Sequence, residues 1–255
     1  MKYILGLDIG TTGVKGVLIN ERGKIVRIST SEYSLSTPFP NWAEQNPEDW
    51  WNATKEVIGQ IGRQFPLNKI RGIGLTGQMH GAVFLNKEGK VLRPAILWCD
   101  QRTAKEAKEI EEIVGKKEIV EFTANPPLTG FTAPKILWVR KNEPEIYERT
   151  RKILLPKDYI RFRLSGDFAS DVTDSSGTSL FDVENRRWSK EVLEKLKIDL
   201  ELLPTVYEST EITGKISEIG SKETGLNTGT PLVAGAGDLA AAGVGNGVIE
   251  EGIIS

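Results

Sequence analysis

Four short stretches bring acidic, hydroxyl or amide side chains together with glycines at spacings that can do chemistry. The first is LGLDIGTTGVKGVLI, residues 5–19, where Asp8 closes an apolar run and the turn Gly10–Thr11–Thr12–Gly13 follows. Glycine lets a backbone turn closely, and Thr11 and Thr12 offer hydroxyls and N–H groups to an anion. Asp8, at the strand's end, is placed to hold a hydrated Mg2+ beside that anion. A plain hairpin with a buried capping aspartate fits the same spacing equally well. Neither GxxxxGK[ST] nor GxGxxG follows an expected strand, which argues against a P-loop nucleotidase and a dinucleotide-binding fold.

The second stretch is Gly77–Gln78–Met79–His80–Gly81, directly after an expected strand at Ile70–Leu75. Polar residues at a strand's carboxyl end are where open α/β sheets bind ligands. His80 is the only histidine, and a lone histidine more often serves structure than function. The third is Trp98–Cys99–Asp100–Gln101–Arg102. An aromatic ring beside Asp100 and Arg102 can line a polyol site, and Asp100 can equally cap the helix expected from Thr103 to Val114. Cys99 reads as a small buried filler. In the fourth, Gly235–Ala236–Gly237–Asp238–Leu239–Ala240, an acid sits between a short apolar strand and a small-residue helix. Asp238 is either an ordinary N-cap or a general base for a substrate hydroxyl.

The elements that must position these residues alternate in type. Strands are expected at Tyr3–Asp8, Val14–Asn20, Lys24–Ser31, Ile70–Leu75, Ala82–Asn86, Val91–Leu97, Ile153–Leu155 and Pro231–Ala234. Asn46–Pro47–Glu48–Asp49 is a helix start, with Trp50, Thr54, Val57, Ile58, Ile61 and Phe65 at helical spacing behind it. Further helices are expected at Ala133–Lys141, Pro144–Thr150, Lys157–Leu164 and Ser189–Ile198. The pattern is that of an α/β fold.

With 255 residues, 39% hydrophobic and 27% charged, the chain has the material for a sizeable core. A net charge of −2, from 33 basic and 35 acidic residues, leaves no footprint for nucleic acid or an anionic membrane. No apolar run approaches the roughly 20 residues that span a bilayer. One cysteine rules out an intrachain disulfide framework and a thiolate zinc site, and a cytoplasmic location is expected.

The stretches LDIGTTGVK, WAEQNPEDWW, GQMHG, RPAILWCDQR, GFTAPKILWV, LLPKDYIRFRLSGDFASD, EITGKI and AGAGD, in this order, resemble the FGGY carbohydrate kinases, and within them the xylulokinase branch. The resemblance runs from Tyr3 to Ser255. It implies a ribonuclease H-like domain of the actin-like ATPase superfamily, a mixed sheet with flanking helices, occupying residues 1–245. Residues 246–255 would begin a C-terminal nucleotide-binding domain, which would have to come from elsewhere. ATP and Mg2+ are the implied cofactors and a ketose or polyol the implied substrate. By this resemblance Asp238 is the catalytic base. Asp8 is the catalytic and metal-binding acid, and Gly10, Thr11, Thr12 and Gly13 bind phosphate. Met79 and His80, with Gln78 alongside, contact the sugar, and Trp98, Asp100 and Arg102 line the cleft. Two departures stand out: Leu239 where xylulokinases usually carry Asn, and Cys99 where Asn or Ala is commoner. Such kinases run to about twice this length, as two ordinary domains would. An incomplete kinase is therefore expected, alone inactive, with a non-catalytic sugar- or partner-binding protein as the alternative.

Overall fold

The computed structural model describes residues 1–250, 252 and 253. The expected second-domain start therefore falls partly outside the described residues, at Glu251, Ile254 and Ser255. Strands β1 (Tyr3–Ile9), β2 (Gly13–Asn20) and β3 (Ile25–Glu32) form an antiparallel meander. Alternate residues Tyr3, Leu5, Leu7 and Ile9 of β1 are buried, as a strand with one core face requires. Helix α1 (Pro47–Gly62) packs on that face. It starts as its sequence implies: the Asn46 side chain accepts the Glu48 N–H at 3.1 Å, Pro47 opens the first turn, and Glu48 and Asp49 meet the positive dipole end. Trp50, Thr54, Val57, Ile58 and Ile61 are all fully buried.

Strand β4 (Ile70–Gly77) lies parallel to β1, with Asp8 opposite Thr76 and Ile9 opposite Gly77. Three late segments complete the sheet: β5 (Ile212–Lys215), β6 (Pro231–Val233) and the two-residue β7 (Ala236–Gly237). The order is β5-β6-β4-β1-β2-β3, and β6 and β7 both run parallel beside β4. This is a mixed sheet with flanking helices. A second apolar core gathers around α2 (Ala104–Val114), α3 (Lys116–Thr123) and α4 (Thr132–Asn142). Behind β4 lie α5 (Pro156–Ser165) and the short α6 (Val172–Ser176), and α7 (Asp238–Gly245) leaves the end of β7.

Two expectations change. The strand expected over Val91–Leu97 shrinks to Ala95–Ile96 paired with Glu44–Gln45, because Pro94 has no N–H to give a ladder and Val91 makes only a bridge to Leu85. Helix α3 is an addition to the expected elements: only Ile119 and Thr123 of its eight residues are buried, so its apolar stripe is faint.

The second face of the sheet stays open. Between it and α7 runs a groove of about 520 Å3, floored by Gly6, Val17 and Gly74 and walled by Val233, Ala240 and Val244.

Candidate active site

Three parallel strands end side by side: β1 delivers Asp8, β4 delivers Gln78, Met79 and His80, and β7 delivers Asp238. Acids 230 residues apart in sequence thus share one corner. Partial burial first, and then the charge of Asp238, raise the Asp8 carboxyl above its ordinary value, and Lys15 across the β1–β2 ladder opposes them incompletely.

The turn after Asp8 is closed by the Gly10 N–H on the Gly13 carbonyl at 3.0 Å. At Gly13 a Cβ would come within 2.6 Å of the Ser31 carbonyl, so only glycine lets β3 approach. The turn is held from outside as well. The Gly10 carbonyl accepts the Tyr33 hydroxyl at 2.6 Å and the Gln78 amide at 3.3 Å, and the Thr11 carbonyl accepts the Gln45 amide at 2.7 Å. Gln78 also donates to Gln45 at 3.1 Å, and Trp50 donates to the same Gln45 oxygen at 3.0 Å. Thr12 is exposed at the tip. A turn so tethered is preorganised.

His80 adopts φ +65°, a left-handed conformation uncommon outside glycine, and its carbonyl is clamped by the Thr132 hydroxyl at 3.1 Å and the Lys135 ammonium at 2.8 Å. Its ring stacks on Phe131 with centroids 4.4 Å apart. Nδ1 lies 2.6 Å from the Gly177 carbonyl, which can only accept, so Nδ1 carries the proton and Nε2 of the neutral ring is an acceptor. Burial holds the imidazole below its ordinary pKa despite the Gly177 bond. Neutral His80 therefore offers a lone pair to a hydroxyl.

Asp238 is the first residue of α7 rather than its cap, which is Gly237, and its Oδ1 takes the Leu239 N–H at 2.8 Å. Met79 closes over Gly237: a Cβ there would lie 2.9 Å from its sulfur. Trp98, 47% exposed, reaches the turn through its indole N–H on the Thr11 hydroxyl at 3.0 Å.

Three expected contact residues are not presented to this corner. Gln78 is buried, and its amide is committed to the turn. Asp100 is fully buried, accepting the Ala43 N–H at 2.6 Å and pairing with Arg102 at 2.7 Å, so it neither caps α2 nor lines a polyol site. The Arg102 guanidinium is enclosed too, 3.5 Å from the Trp42 ring centroid and 2.8 Å from Glu44. Cys99 is half-buried, its thiol pushed up by burial. Phe131, Lys135, Gly177, Tyr33 and Gln45 are site-building residues that spacing alone did not reveal. Their only trace is that each lies in or beside a stretch mixing glycine, aromatics and polar groups.

The N-terminal domain of the FGGY family of carbohydrate kinases matches residues 3–245. The chain belongs to that family. It is 44% identical over 246 residues to the xylulose kinase of Escherichia coli (strain K12), covering 96% of this chain and 50% of that protein. Two solved structures from Lactobacillus acidophilus superpose on the FGGY domain nearly equally well. The ligand-bound xylulose kinase gives a TM-score of 0.90 at 29% identity, covering 96% of this chain and 50% of that one. The gluconate kinase gives 0.87 at 30%, covering 93% and 48%. Likeness of fold therefore does not choose the sugar. The FGGY chain spans about half the length of the curated relatives it matches. Among the described residues no helix is long and apolar enough to cross a membrane.

Proposed function

We propose that this chain is the sugar-binding half of an ATP-dependent sugar kinase of the xylulokinase type, acting on a ketose or polyol hydroxyl. The observation that carries this reading is the meeting of Asp8, the tethered Gly10–Gly13 turn, neutral His80 and Asp238 at adjoining strand ends. His80 Nε2 accepts a hydrogen bond from one sugar hydroxyl, with Met79 beside it. Asp238 accepts the proton of the attacking hydroxyl. The backbone of Thr11 and Thr12 faces the phosphates, and the apolar ring of Trp98 lies over the sugar's C–H groups.

The donors at this corner, two carboxylates and two threonine hydroxyls, are hard oxygens. They fit Mg2+, which takes one or two carboxylates and completes its shell with water and phosphate. Asp8 would hold the ion, with Asp238 beside it. Bound Mg·ATP would supply the phosphoryl group and neutralise its charge. ATP supply makes the cytoplasm the proposed location.

Phosphoryl transfer needs a cleft that excludes water, and the proposed partner is a C-terminal kinase half. The test is to mix this chain with the C-terminal half of a relative, Mg·ATP and a panel of ketoses, polyols and gluconate. Activity is expected from the pair, and Asp238→Asn should lower kcat about 10²- to 10⁴-fold. If the pair with this chain stays inactive while the full-length relative works, the catalytic reading fails. Leu239, 76% exposed where an amide would reach substrate, favours a second reading, a non-catalytic sugar binder. Calorimetry showing D-xylulose bound by an inactive pair would select it.

A further inference from the structure

We propose that Thr173 is a positioning residue for Asp238, linking the base to a buried lysine that the reaction itself does not use. The inference rests on the reading of Asp238 as the base. Strand β7 is only two residues long, and on its β4 side it is fixed by Ala236 opposite Thr76 and Gly237 opposite Gly77. Two paired residues do not orient the next side chain by themselves. The remaining constraint comes from α6, where the Thr173 hydroxyl oxygen accepts the Gly237 N–H at 3.0 Å.

That hydroxyl has no freedom of its own. Its proton goes to Asp171 Oδ2 at 2.6 Å, so toward Gly237 it can only accept. The Asp171 carboxylate is fixed in turn. Oδ2 also takes the Thr173 N–H at 2.8 Å and the Ser209 hydroxyl at 2.9 Å, and Oδ1 lies 2.9 Å from the Lys157 ammonium. Lys157 is fully buried, with Asp158 at 2.6 Å and Asp174 at 3.5 Å. Burial alone would raise the Asp171 carboxyl, but Lys157 and the Thr173 bonds outweigh it and keep the group ionised.

The same lysine reaches the loop a second time. Gly235, at φ +90°, is so close to the Leu75 carbonyl that a Cβ would overlap it, and 3.4 Å from that Cβ position runs the Lys157 stem. The segment 235–237 therefore passes beside the stem of Lys157 at Gly235, and is held at Gly237 through Thr173 and Asp171, the carboxylate that Lys157 pairs. Met79 closes the opposite side of Gly237. A link from a fixed buried charge to the peptide before the base is what holding a proton acceptor to a fraction of an ångström requires.

The test compares Thr173→Val, which keeps the shape and removes the hydroxyl, with Thr173→Ser, which restores it. In the 255-residue chain alone, Thr173→Val should speed amide exchange at Gly237 about five- to tenfold. Thr173→Ser should match the unsubstituted chain. In the reconstituted pair, kcat should fall about ten- to a hundredfold at unchanged KM, and recover in Thr173→Ser. Gly237 exchange unchanged in Thr173→Val overturns the proposal. Should Thr173→Val not fold, the unsubstituted chain decides: a Gly237 amide exchanging like its exposed neighbours also overturns it. Because exchange needs no sugar, it stands or falls apart from the kinase reading.

Discussion

His80 and Lys135 carry opposite halves of one contact, and each leaves its mark on stability in its own pH window. The folded imidazole is held below its ordinary value of 6.5 by burial, so the unfolded chain binds more protons as pH falls below that value. Stability from neutral His80 is fully present above about pH 6.5 and is lost as pH drops through the folded pKa. Lys135 is fully buried, and burial lowers it to about 7 from 10.5. The unfolded chain therefore binds the extra proton between those values, and stability rises with pH from about 7 to 10.5. Melting temperatures across pH should lose the acid-side slope in His80→Asn, since Asn tolerates φ +65°, and the alkaline slope in Lys135→Met. Unchanged slopes would mean that neither side chain is desolvated as described. Asp8, Met79, His80 and Asp238 lie in stretches marked by residue type and spacing, and only the family resemblance gives them roles. The enclosure of Asp100 and Arg102 is not legible in their own stretch, because Ala43, Glu44, Trp42 and Trp138 come from segments about 40 to 60 residues away.

At the scale of elements, glycines separate positions that need absence of a side chain from positions that merely lack one. Gly13→Ala forces a Cβ toward the Ser31 carbonyl, backbone that cannot swing away, and should destabilise by about 1–3 kcal/mol. Gly59, exposed in the interior of α1 with nothing within 4 Å of its Cβ position, should gain about 0.5–1 kcal/mol as alanine. Urea unfolding of the two variants measures both, and a Gly13→Ala variant as stable as the parent would mean β2 and β3 can part there. Strands β1, β2 and β4 and helix α1 were legible because alternation or a 3.6-residue stripe follows from one buried face. Strands β5 and β7 were not, since four and two residues carry too little pattern and owe their pairing to β6 and β4.

For the whole molecule, the open sheet face is the feature that composition could not show. Residues Ile4, Leu239 and Val244 are 47%, 76% and 67% exposed, and no residue of α7 is buried, although the helix is built of small apolar residues. Exposed apolar surface of this kind, with Val244 on the wall of the groove floored by Gly6, Val17 and Gly74, favours association. The chain alone should bind an apolar dye and self-associate with rising concentration. Val244→Lys should suppress both, and so should adding a C-terminal kinase half. A dye-silent monomer would show that α7 packs more closely onto the sheet. That a C-terminal half would cover this face is an expectation from the family resemblance, not from periodicity.

Of the six tryptophans, Trp50 and Trp51 are fully buried, and only Trp98 is more than a third exposed, its indole N–H resting on the Thr11 hydroxyl. The molecule thus carries its own lamp at the Gly10–Gly13 turn. A collisional quencher such as acrylamide should dim Trp98 first, and Trp98→Phe should remove most of the quenchable emission. Shielding of that light on adding nucleotide or sugar would report occupancy of the corner directly, in unlabelled protein and without any turnover.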